Sequence, residues 1–495
     1  MKKINHFSNK SNFYRFLSIN RYNFLVILFI YSIVTSVISL ANYPYIDDIG
    51  RQLQGYTGFS AHYSRYLSEL FAVTIQGSRH LTDTGLTSSI ISASILSLTS
   101  ILVLYIFFGK TKIKWLAAIS SVFIGLNPWF LEALSFRFDS PFLSLSILVV
   151  VLPFLFWKSP LLHFYLAGSI GVFLMCNSYQ ASSGIFILMT LTLVILNVTS
   201  HATLNMLWNR IFVSMAAFVT GLLVYFVQVK IFPPIFSEST DLGNLFDIPK
   251  NMLTNTGSYL GVIWKQSANV WLVLFIMIFI LLGALFLTSS TKGKLPTSLY
   301  FVMYLILGGI LSYGVYMVFP IAYAEMRPRY SYGFGVFISF AMILLTQKET
   351  TLSWLKIKTP IAMLLSFYLL SFSFIFANSL KLENDYFISQ STILGSSLNE
   401  VVDSENRTVK MNRFVGDAPV FLNTIANYPI LPALIISQAN ISWDYTMRFN
   451  SITNLQLNFE AYDPAEITFT DSELIEASLL FNIYKREDQI YVQIN

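Results

Sequence analysis

The chain has 495 residues, of which 55% are hydrophobic and only 12% are charged. Soluble globular proteins carry about 25% charged residues, so this composition excludes an ordinary soluble domain and indicates a polytopic membrane protein. Cys176 is the only cysteine, which excludes an intramolecular disulfide.

Charge is distributed unevenly along the chain. Residues 378–495 contain 15 of the 26 acidic and 7 of the 31 basic residues, which gives them a net charge of −8 and leaves +13 for the rest. This division predicts a basic cytoplasmic segment (1–23), a membrane domain (24–377) and an acidic domain outside the membrane (378–495). It does not indicate a nucleic-acid partner.

Eleven apolar runs reach or approach the length needed to cross a bilayer as a helix. The intervening segments that contain mainly lysine or arginine are predicted to be cytoplasmic, with the N-terminus inside and the C-terminal domain outside. The first run has no cleavage site after it and is expected to remain as an anchor. The predicted spans are 24–41, 86–108, 115–131, 141–157, 161–176, 181–197, 211–230, 269–288, 299–319, 332–346 and 360–377.

The first predicted external loop, 42–85, has the most unusual polar pattern. Asp47 and Asp48 come soon after the first span, and Arg51 follows within one helical turn. A run of charges in a loop is often only solvated. The density of acids, arginines and glycines directly after a span favours a functional site.

Residues 59–71 in this loop show helical periodicity. Aromatic and leucine side chains fall on one face, and His62, Arg65 and Glu69 fall on another. We expect this stretch to form one amphipathic helix that lies along the membrane surface and covers the paired acids.

Further charged residues are predicted on the same external side. Arginines there run against the positive-inside tendency, so they are expected to have specific anionic partners. Those partners are either the neighbouring acids or a phosphate, for which guanidinium is well shaped, and the sequence leaves both open. The clusters are Arg79, His80 and Asp83; Glu132, Arg137 and Asp139; and Glu325, Arg327 and Arg329.

The C-terminal part is polar, acidic and rich in Asn and Ser. Two short strand-like runs, 481–484 and 490–494, are separated by Lys-Arg-Glu-Asp-Gln, which predicts a hairpin. We therefore expect a small α+β domain outside the membrane.

Paired carboxylates at a membrane face suit general-base activation of a sugar hydroxyl. One acid would take the proton, and the other would orient it or bind a metal. The sequence contains no His-x-x-x-His or cysteine cluster with metal-ligand spacing, no glycine-rich phosphate loop and no nucleophile elbow.

Several short motifs point to a known family. The sequences YIDDIGR (45–51), GY (55–56) and SRYL (64–67) follow the first span. With them, the chain resembles the bacterial Gtr family, the serotype-converting glucosyltransferases of O-antigen modification, which have a GT-C type membrane fold. The positions ERFD (132 and 137–139) and SYQ (178–180) also resemble that family, and the resemblance covers about residues 24–380. The chain has Ser64-Arg65 where the family pattern has Gly-Arg.

The resemblance implies a mainly α, GT-C-like enzyme in the bacterial inner membrane. Its donor would be glucose on undecaprenyl phosphate, supplied by a donor-synthesising transferase and a flippase. Its acceptor would be an O-antigen or related surface glycan on the periplasmic face, and transfer would proceed by direct displacement with inversion. No cofactor or metal ion is expected, and the acidic C-terminal domain would help to bind the acceptor.

The resemblance also assigns roles to residues. One of the two acids would be the catalytic base, and arginines would stabilise the departing lipid phosphate. The predicted residues are Asp47 and Asp48 for catalysis; Arg327, Arg329 and Arg137 for the donor phosphate; and Arg51, Arg65, Glu69, Glu132, Asp139, Tyr179 and Gln180 for substrate binding.

Two other classes of protein remain as alternatives. A transporter or flippase of lipid-linked sugars would also need external basic groups, but would place more charges within its spans. An O-antigen polymerase or ligase would use external arginines without an acidic pair after the first span.

Overall fold

A computed structural model describes residues 7–198, 204–236, 241–290, 293–403 and 407–495. Its larger part is a bundle of helices around one apolar core. The helices are α1 (Phe7–Ile19), α2 (Arg21–Leu40), α3 (Asp48–Gln54), α4 (Phe59–Tyr63), α5 (Tyr66–Gln76), α6 (Leu86–Phe108), α7 (Trp115–Ser121), α8 (Leu131–Ser135), α9 (Ser140–Val151), α10 (Leu161–Cys176), α11 (Ser183–Val198), α12 (Leu204–Ile231), α13 (Ile248–Gln266), α14 (Asn269–Ser289), α15 (Lys294–Leu311), α16 (Tyr323–Met326), α17 (Tyr332–Gln347) and α18 (Lys358–Val401).

Apolar helices account for every predicted span. Within the described ranges, seven helical stretches are long and apolar enough to cross a membrane, and four more are apolar but only 10–17 residues long. Each of the eleven predicted spans overlaps one of these stretches, and the count of eleven crossings stays a prediction. The seven longer stretches are Arg21–Leu40, Leu86–Phe108, Gln180–Val198, Asn205–Ile231, Asn269–Ser289, Lys294–Leu311 and Ser353–Val401.

Helix α18 joins the two parts of the chain. It has 44 residues, and at 1.5 Å per residue this is about 66 Å, roughly twice the thickness of the hydrocarbon layer. Phe372 and Phe376 of α18 are buried in the core of the bundle, whereas Phe387 and Leu394 are buried in a second core. The helix therefore continues through residue 378, where the composition of the chain changes, and carries the C-terminal part on its far end.

The C-terminal part is a small α+β unit, as predicted. Its helices are α19 (Pro419–Ile425), α20 (Leu431–Leu434) and α21 (Trp443–Thr453), and its strands are β1 (Thr408–Met411), β2 (Asn458–Ala461), β3 (Leu474–Ala477), β4 (Phe481–Arg486) and β5 (Gln489–Ile494). The sheet order is β2-β1-β5-β4-β3, with β1 parallel to both of its neighbours and the other pairs antiparallel. The predicted hairpin is confirmed, because β4 pairs with β5 through a tight turn.

The expectation of one amphipathic helix over 59–71 is wrong. The chain forms α4 and α5 instead, and Ser64 between them has a φ of 53°, in the left-handed region. The backbone N–H of Arg65 donates to the carbonyl of Phe59 at 3.0 Å, which closes the end of α4. The Ser64 hydroxyl also donates to the carbonyl of Phe232 at 3.3 Å. These contacts turn the chain sharply, so the residues of α4 and α5 do not share one helical face.

Candidate active site

Asp48 anchors the first predicted external loop. Its Oδ2 accepts hydrogen bonds from the backbone N–H groups of Tyr45 and Arg137, both at 3.0 Å. The side chain is fully buried, and its Oδ1 has no hydrogen-bond partner among the described residues. Burial raises the pKa of Asp48 to about 8, and the nearby charge of Asp139 adds to the rise. Asp48 is therefore largely protonated at neutral pH and holds the loop against the segment before α9.

Asp47 has a different environment from its neighbour. It is half-buried and faces a cavity of about 330 Å³ that Arg51 also lines. In the described part of the chain, no hydrogen bond reaches the Asp47 carboxylate. A carboxylate that faces a cavity is placed to accept a proton from a bound ligand.

Arg51 and Asp139 form a buried ion pair that ties α3 to the N-terminus of α9. The Arg51 guanidinium also lies over the ring of Phe59, 4.4 Å from its centroid. Burial raises the pKa of Asp139, while the charges of Arg51, Arg65 and Arg329 act to lower it. Charged groups from three separate segments therefore act on this carboxylate.

Glu132 holds two arginines that lie 195 and 197 residues further along the chain. Its Oε1 accepts from Arg327 Nε at 2.6 Å and from an Arg329 terminal nitrogen at 2.8 Å, and its Oε2 accepts from the Arg329 backbone N–H at 2.8 Å. The Glu132 side chain is fully buried, while 15% of Arg327 and 20% of Arg329 stay exposed. Two guanidinium groups share one carboxylate, so one positive charge remains uncompensated within this group.

Hydrogen bonds between side chains and the backbone set the position of the segment that leads to these arginines. Helix α13 lies between the predicted spans 211–230 and 269–288. Its Asn255 side chain donates to the carbonyls of Tyr316, Met317 and Phe319 at 3.3, 3.0 and 2.7 Å. The Tyr313 hydroxyl accepts from the backbone N–H of Ala324 at 2.8 Å. The segment before Arg327 is thereby fixed against the bundle.

Both terminal nitrogens of the Arg137 guanidinium have protein partners. Its guanidinium binds Asp83 at 2.9 Å, the side-chain oxygen of Asn42 at 3.0 Å and the carbonyl of Ser39 at 3.3 Å. Its backbone N–H binds Asp48, as described above. Arg137 thus bonds to the loop of the paired acids and to the chain around it, and its part in binding the donor phosphate stays a prediction.

Arg65 lies between two tyrosine rings. The guanidinium carbon is 5.1 Å from the ring centroid of Tyr63 and 5.1 Å from that of Tyr179. Among the described residues no carboxylate forms an ion pair with Arg65, which is half-buried. Burial raises the pKa of Tyr63 to about 12; the charge of Asp47 adds to this rise and that of Arg65 opposes it. Arg65 and Asp47 are thus both close enough to Tyr63 to influence its charge.

The remaining predicted residues hold the site together. The Tyr179 hydroxyl donates to the carbonyl of Arg329 at 3.4 Å, and the Gln180 amide donates to the hydroxyl of Tyr225 at 2.9 Å. Glu69 accepts from the backbone N–H groups at the start of α4, at 2.9 and 3.3 Å, and so caps that helix.

The aromatic part of the site was not predicted from the sequence. Tyr316, Tyr323 and Tyr330 contact one another with centroids 4.9–5.2 Å apart, and Tyr330 lies 6.4 Å from Tyr179. The sequence does contain a local signal for it, because Tyr323 and Tyr330 lie close to Arg327 and Arg329 along the chain. Trp443, which lines the cavity beside Asp47, had no local signal because it lies in the C-terminal part.

Residues 7–198, 204–236, 241–290, 293–403 and 407–495 include no group of three or more His, Cys, Asp or Glu side chains placed to hold a metal ion. That the enzyme works without a metal ion stays a prediction.

Comparison with known families gives one match. The family described as Glucosyl transferase GtrII matches residues 36–345, which is more than half of the chain and includes all the predicted site residues. Neither the curated proteins nor the solved structures include a match to this chain. The family match and the apolar helices together identify a membrane glycosyltransferase. The chain belongs to the glucosyl transferase GtrII family.

Proposed function

We propose that the protein transfers a glucosyl group from undecaprenyl phosphate glucose to an O-antigen or related surface glycan at the periplasmic face of the bacterial inner membrane. Membership of the glucosyltransferase family and the membrane-length helices support this proposal. The observation that carries it is the arrangement of charges: Asp47 faces a cavity without a hydrogen-bond partner in the described chain, and Arg65 and the Arg327–Arg329 group supply uncompensated positive charge nearby.

Asp47, rather than Asp48, is the base in this proposal. A general base must be ionised at the working pH and must reach the proton that it removes. Asp48 is fully buried, both of its accepted hydrogen bonds come from backbone groups, and its pKa is raised to about 8 by burial. Asp47 faces the cavity, where it can reach the hydroxyl group of a bound acceptor, while Asp48 positions the loop.

The reaction is a direct displacement. The acceptor hydroxyl oxygen attacks the anomeric carbon of the donor, its proton moves to Asp47, and the bond between the anomeric carbon and the phosphate oxygen breaks. The electron pair of that bond leaves on the lipid phosphate, which gains a negative charge. Arg65, Arg327 and Arg329 stabilise this charge, because guanidinium matches phosphate in shape and charge.

The paired charges around the site act as positioning groups. Glu132 orients Arg327 and Arg329, and Asp139 holds Arg51 beside Asp47. Tyr179 lies under Arg65 and hydrogen-bonds to the backbone of Arg329. The donor phosphate is thus expected between Arg65 and Arg329, with Asp139 at the back of the site. A donor-synthesising transferase and a flippase must supply the lipid-linked sugar on this face.

The test is surface-glycan analysis by mass spectrometry in a host strain that makes undecaprenyl phosphate glucose. The strain expresses wild type, Asp47→Asn or Asp247→Asn at matched levels; Asp247 is an exposed acid at the start of α13 and serves as the control. We expect a hexose on the glycan with wild type and Asp247→Asn, and none with Asp47→Asn. A hexose added equally by all three proteins would exclude Asp47 as the base, and no hexose with wild type would exclude the transfer itself.

A further inference from the structure

The cavity beside Asp47 is built from both parts of the chain. It has a volume of about 330 Å³, at the lower end of the range of roughly 300–1,000 Å³ for small-ligand pockets. Aromatic rings dominate its wall, with a carboxylate and a guanidinium at one side. The lining residues are Asp47, Arg51, Tyr56, His62, Tyr63, Phe236 and Trp443.

The wall formed by the bundle is a continuous set of rings. His62 lies 5.2 Å from Phe236 and 6.3 Å from Tyr56, measured between ring centroids, and Tyr63 lies 5.6 Å from Phe236. Phe236 is held there by its backbone N–H, which donates to the carbonyl of His62 at 3.1 Å. These rings are therefore fixed by the turn between α4 and α5 and by the chain that follows α12.

The C-terminal part contributes Trp443, the first residue of α21, to the lining of the cavity. Its side chain is 51% exposed, and none of the described rings stacks on it. An exposed tryptophan ring at the edge of a cavity offers a flat apolar face and an N–H donor. The family match ends at residue 345, so Trp443 lies outside it.

Contacts between α21 and the loop of the paired acids fix the position of Trp443. The hydroxyl groups of Tyr445 and Tyr43 are 3.3 Å apart, and the guanidinium of Arg448 lies 4.8 Å from the centroid of the Tyr43 ring. Tyr45 also donates a hydrogen bond to the carbonyl of Leu434 in α20. These contacts tie the loop that carries Asp47 to the C-terminal part that carries Trp443.

This combination of groups suits a carbohydrate. The C–H face of a pyranose ring is apolar and packs against aromatic rings, while its hydroxyl groups need polar partners such as a carboxylate, an imidazole or a phenol. The groups assigned above to the donor phosphate, Arg65, Arg327 and Arg329, do not line this cavity. Asp47 therefore lies between a phosphate-binding side and a sugar-binding side.

We propose that this cavity is the acceptor subsite, in which the ring of Trp443 stacks on a sugar of the acceptor glycan and directs its hydroxyl toward Asp47. The inference rests on the proposed glucosyl transfer and adds to it the part of the chain that selects the acceptor. The C-terminal part then takes part in the reaction through one aromatic side chain at the cavity.

The experiment measures transfer rates in membranes that contain the full chain, with undecaprenyl phosphate glucose as donor and O-antigen polysaccharide purified from the host strain as acceptor. Trp443→Ala is compared with Trp443→Phe and with Trp264→Ala, a tryptophan of α13 that is 65% exposed and does not line the cavity. We expect Trp443→Ala to raise the acceptor KM about tenfold or more and to leave the donor KM within about twofold, since loss of stacking on one ring costs roughly this much. Trp443→Phe should recover part of the loss, and Trp264→Ala should match wild type.

An unchanged acceptor KM in Trp443→Ala would overturn the subsite, and so would equal increases in the KM of donor and acceptor. If Trp443→Ala does not accumulate as a folded protein, Trp443→Phe and Phe236→Ala are measured instead. In these variants, too, the acceptor KM should rise while the donor KM stays close to that of wild type. Absence of transfer by wild type contradicts the proposed function itself, whereas normal transfer with an unaffected acceptor KM contradicts only the subsite.

Discussion

The carboxylate of Asp48 accepts a hydrogen bond at 3.0 Å from the backbone N–H of Arg137, which is 89 residues further along the chain. This bond fixes the first predicted external loop against the segment that contains Asp139. It also means that the two adjacent acids of the loop differ in kind, since Asp48 is enclosed by protein and Asp47 faces a cavity.

The two acids should respond differently to the same substitution. Asn resembles a protonated carboxyl group in shape, so Asp48→Asn keeps the acceptor oxygen for the N–H groups of Tyr45 and Arg137. We expect Asp48→Asn to retain activity within about tenfold at neutral pH, whereas Asp47→Asn should lose about 10²–10⁴-fold. Initial rates of glucose transfer in membranes, at matched protein levels, give both values. A larger loss for Asp48→Asn than for Asp47→Asn would reverse the assignment of the base.

Stability should depend on pH through Asp48. Burial raises its pKa to about 8 in the folded protein, while a carboxyl group in an unfolded chain has a pKa of about 4. Between about pH 4 and pH 8 the folded state therefore holds a proton that the unfolded state has released. The free energy of unfolding falls as pH rises through this window, by up to about 1.4 kcal/mol per pH unit. The stability that the protonated form of Asp48 contributes is lost above the folded pKa.

Asp48→Asn removes the titrating group, so the dependence of Tm on pH should become weaker in this variant. Thermal unfolding in detergent at pH 5, 6, 7 and 8 checks this for wild type and Asp48→Asn, with Asp247→Asn as a control that keeps the wild-type slope. Identical slopes in wild type and Asp48→Asn would show that Asp48 is already ionised in the folded protein.

Much of the bundle could be predicted from the sequence, because apolar runs and helix ends are local features. Helices α6 and α10 begin and end at the predicted residues, 86–108 and 161–176. The break between α4 and α5 could not be predicted in this way. It depends on the bond from Ser64 to Phe232 and on the capping of α4 by Glu69, and both depend on contacts between separate segments.

The charged residues of the site could be found in the sequence, but their partners could not. Glu132 and Arg327 are 195 residues apart, and no local pattern indicates that they meet. The sequence left acids and phosphate as alternative partners of the external arginines. The structure pairs Arg327 and Arg329 with one shared acid, pairs Arg137 with Asp83, and shows no ion pair for Arg65 within the described ranges. Arginines with an acidic partner can be told apart from an arginine without one only when the positions of the charged groups in space are known.

Glu132 should be essential for both stability and activity. Glu132→Gln removes the charge that Arg327 and Arg329 share, and breaking a buried ion pair from one side typically costs about 3–5 kcal/mol. We expect a clear drop in Tm and loss of glucose transfer. The matched control is Glu325→Gln. Glu325 is an exposed acid in the segment that carries Arg327 and Arg329, and within the described residues its side chain accepts a hydrogen bond from Ser258 at 2.7 Å. Equal Tm values for the two variants would show that the arginines need no buried counter-charge.

Helix packing near the site makes a separate prediction about Gly184 in α11. A Cβ atom at this position would lie 1.9 Å from the backbone carbonyl oxygen of Ser312, which cannot move away easily. Gly184→Ala should therefore destabilise the protein by at least about 1–3 kcal/mol. Gly261→Ala in α13 is the control, because a Cβ there meets no atom within 4 Å, and this change should be neutral or slightly stabilising. Thermal unfolding of both variants provides the comparison, and an equal Tm for the two would contradict the close approach at Gly184.

Arg65 should act on the donor and not on the acceptor. Its guanidinium lies between the rings of Tyr63 and Tyr179, and it is placed to meet a phosphate. Arg65→Ala should raise the donor KM or lower kcat by at least about tenfold, since a charge-assisted hydrogen bond is worth roughly 1.5–3 kcal/mol. Arg65→Lys should recover only part of the activity, because an ammonium group keeps the charge but neither stacks between the rings nor binds phosphate through two parallel N–H groups.

Arg79→Ala, which removes an exposed arginine of the same loop, should match wild type. Steady-state rates at varied donor and fixed acceptor concentrations check this, and full activity in Arg65→Ala would leave Arg327 and Arg329 as the groups that stabilise the departing phosphate.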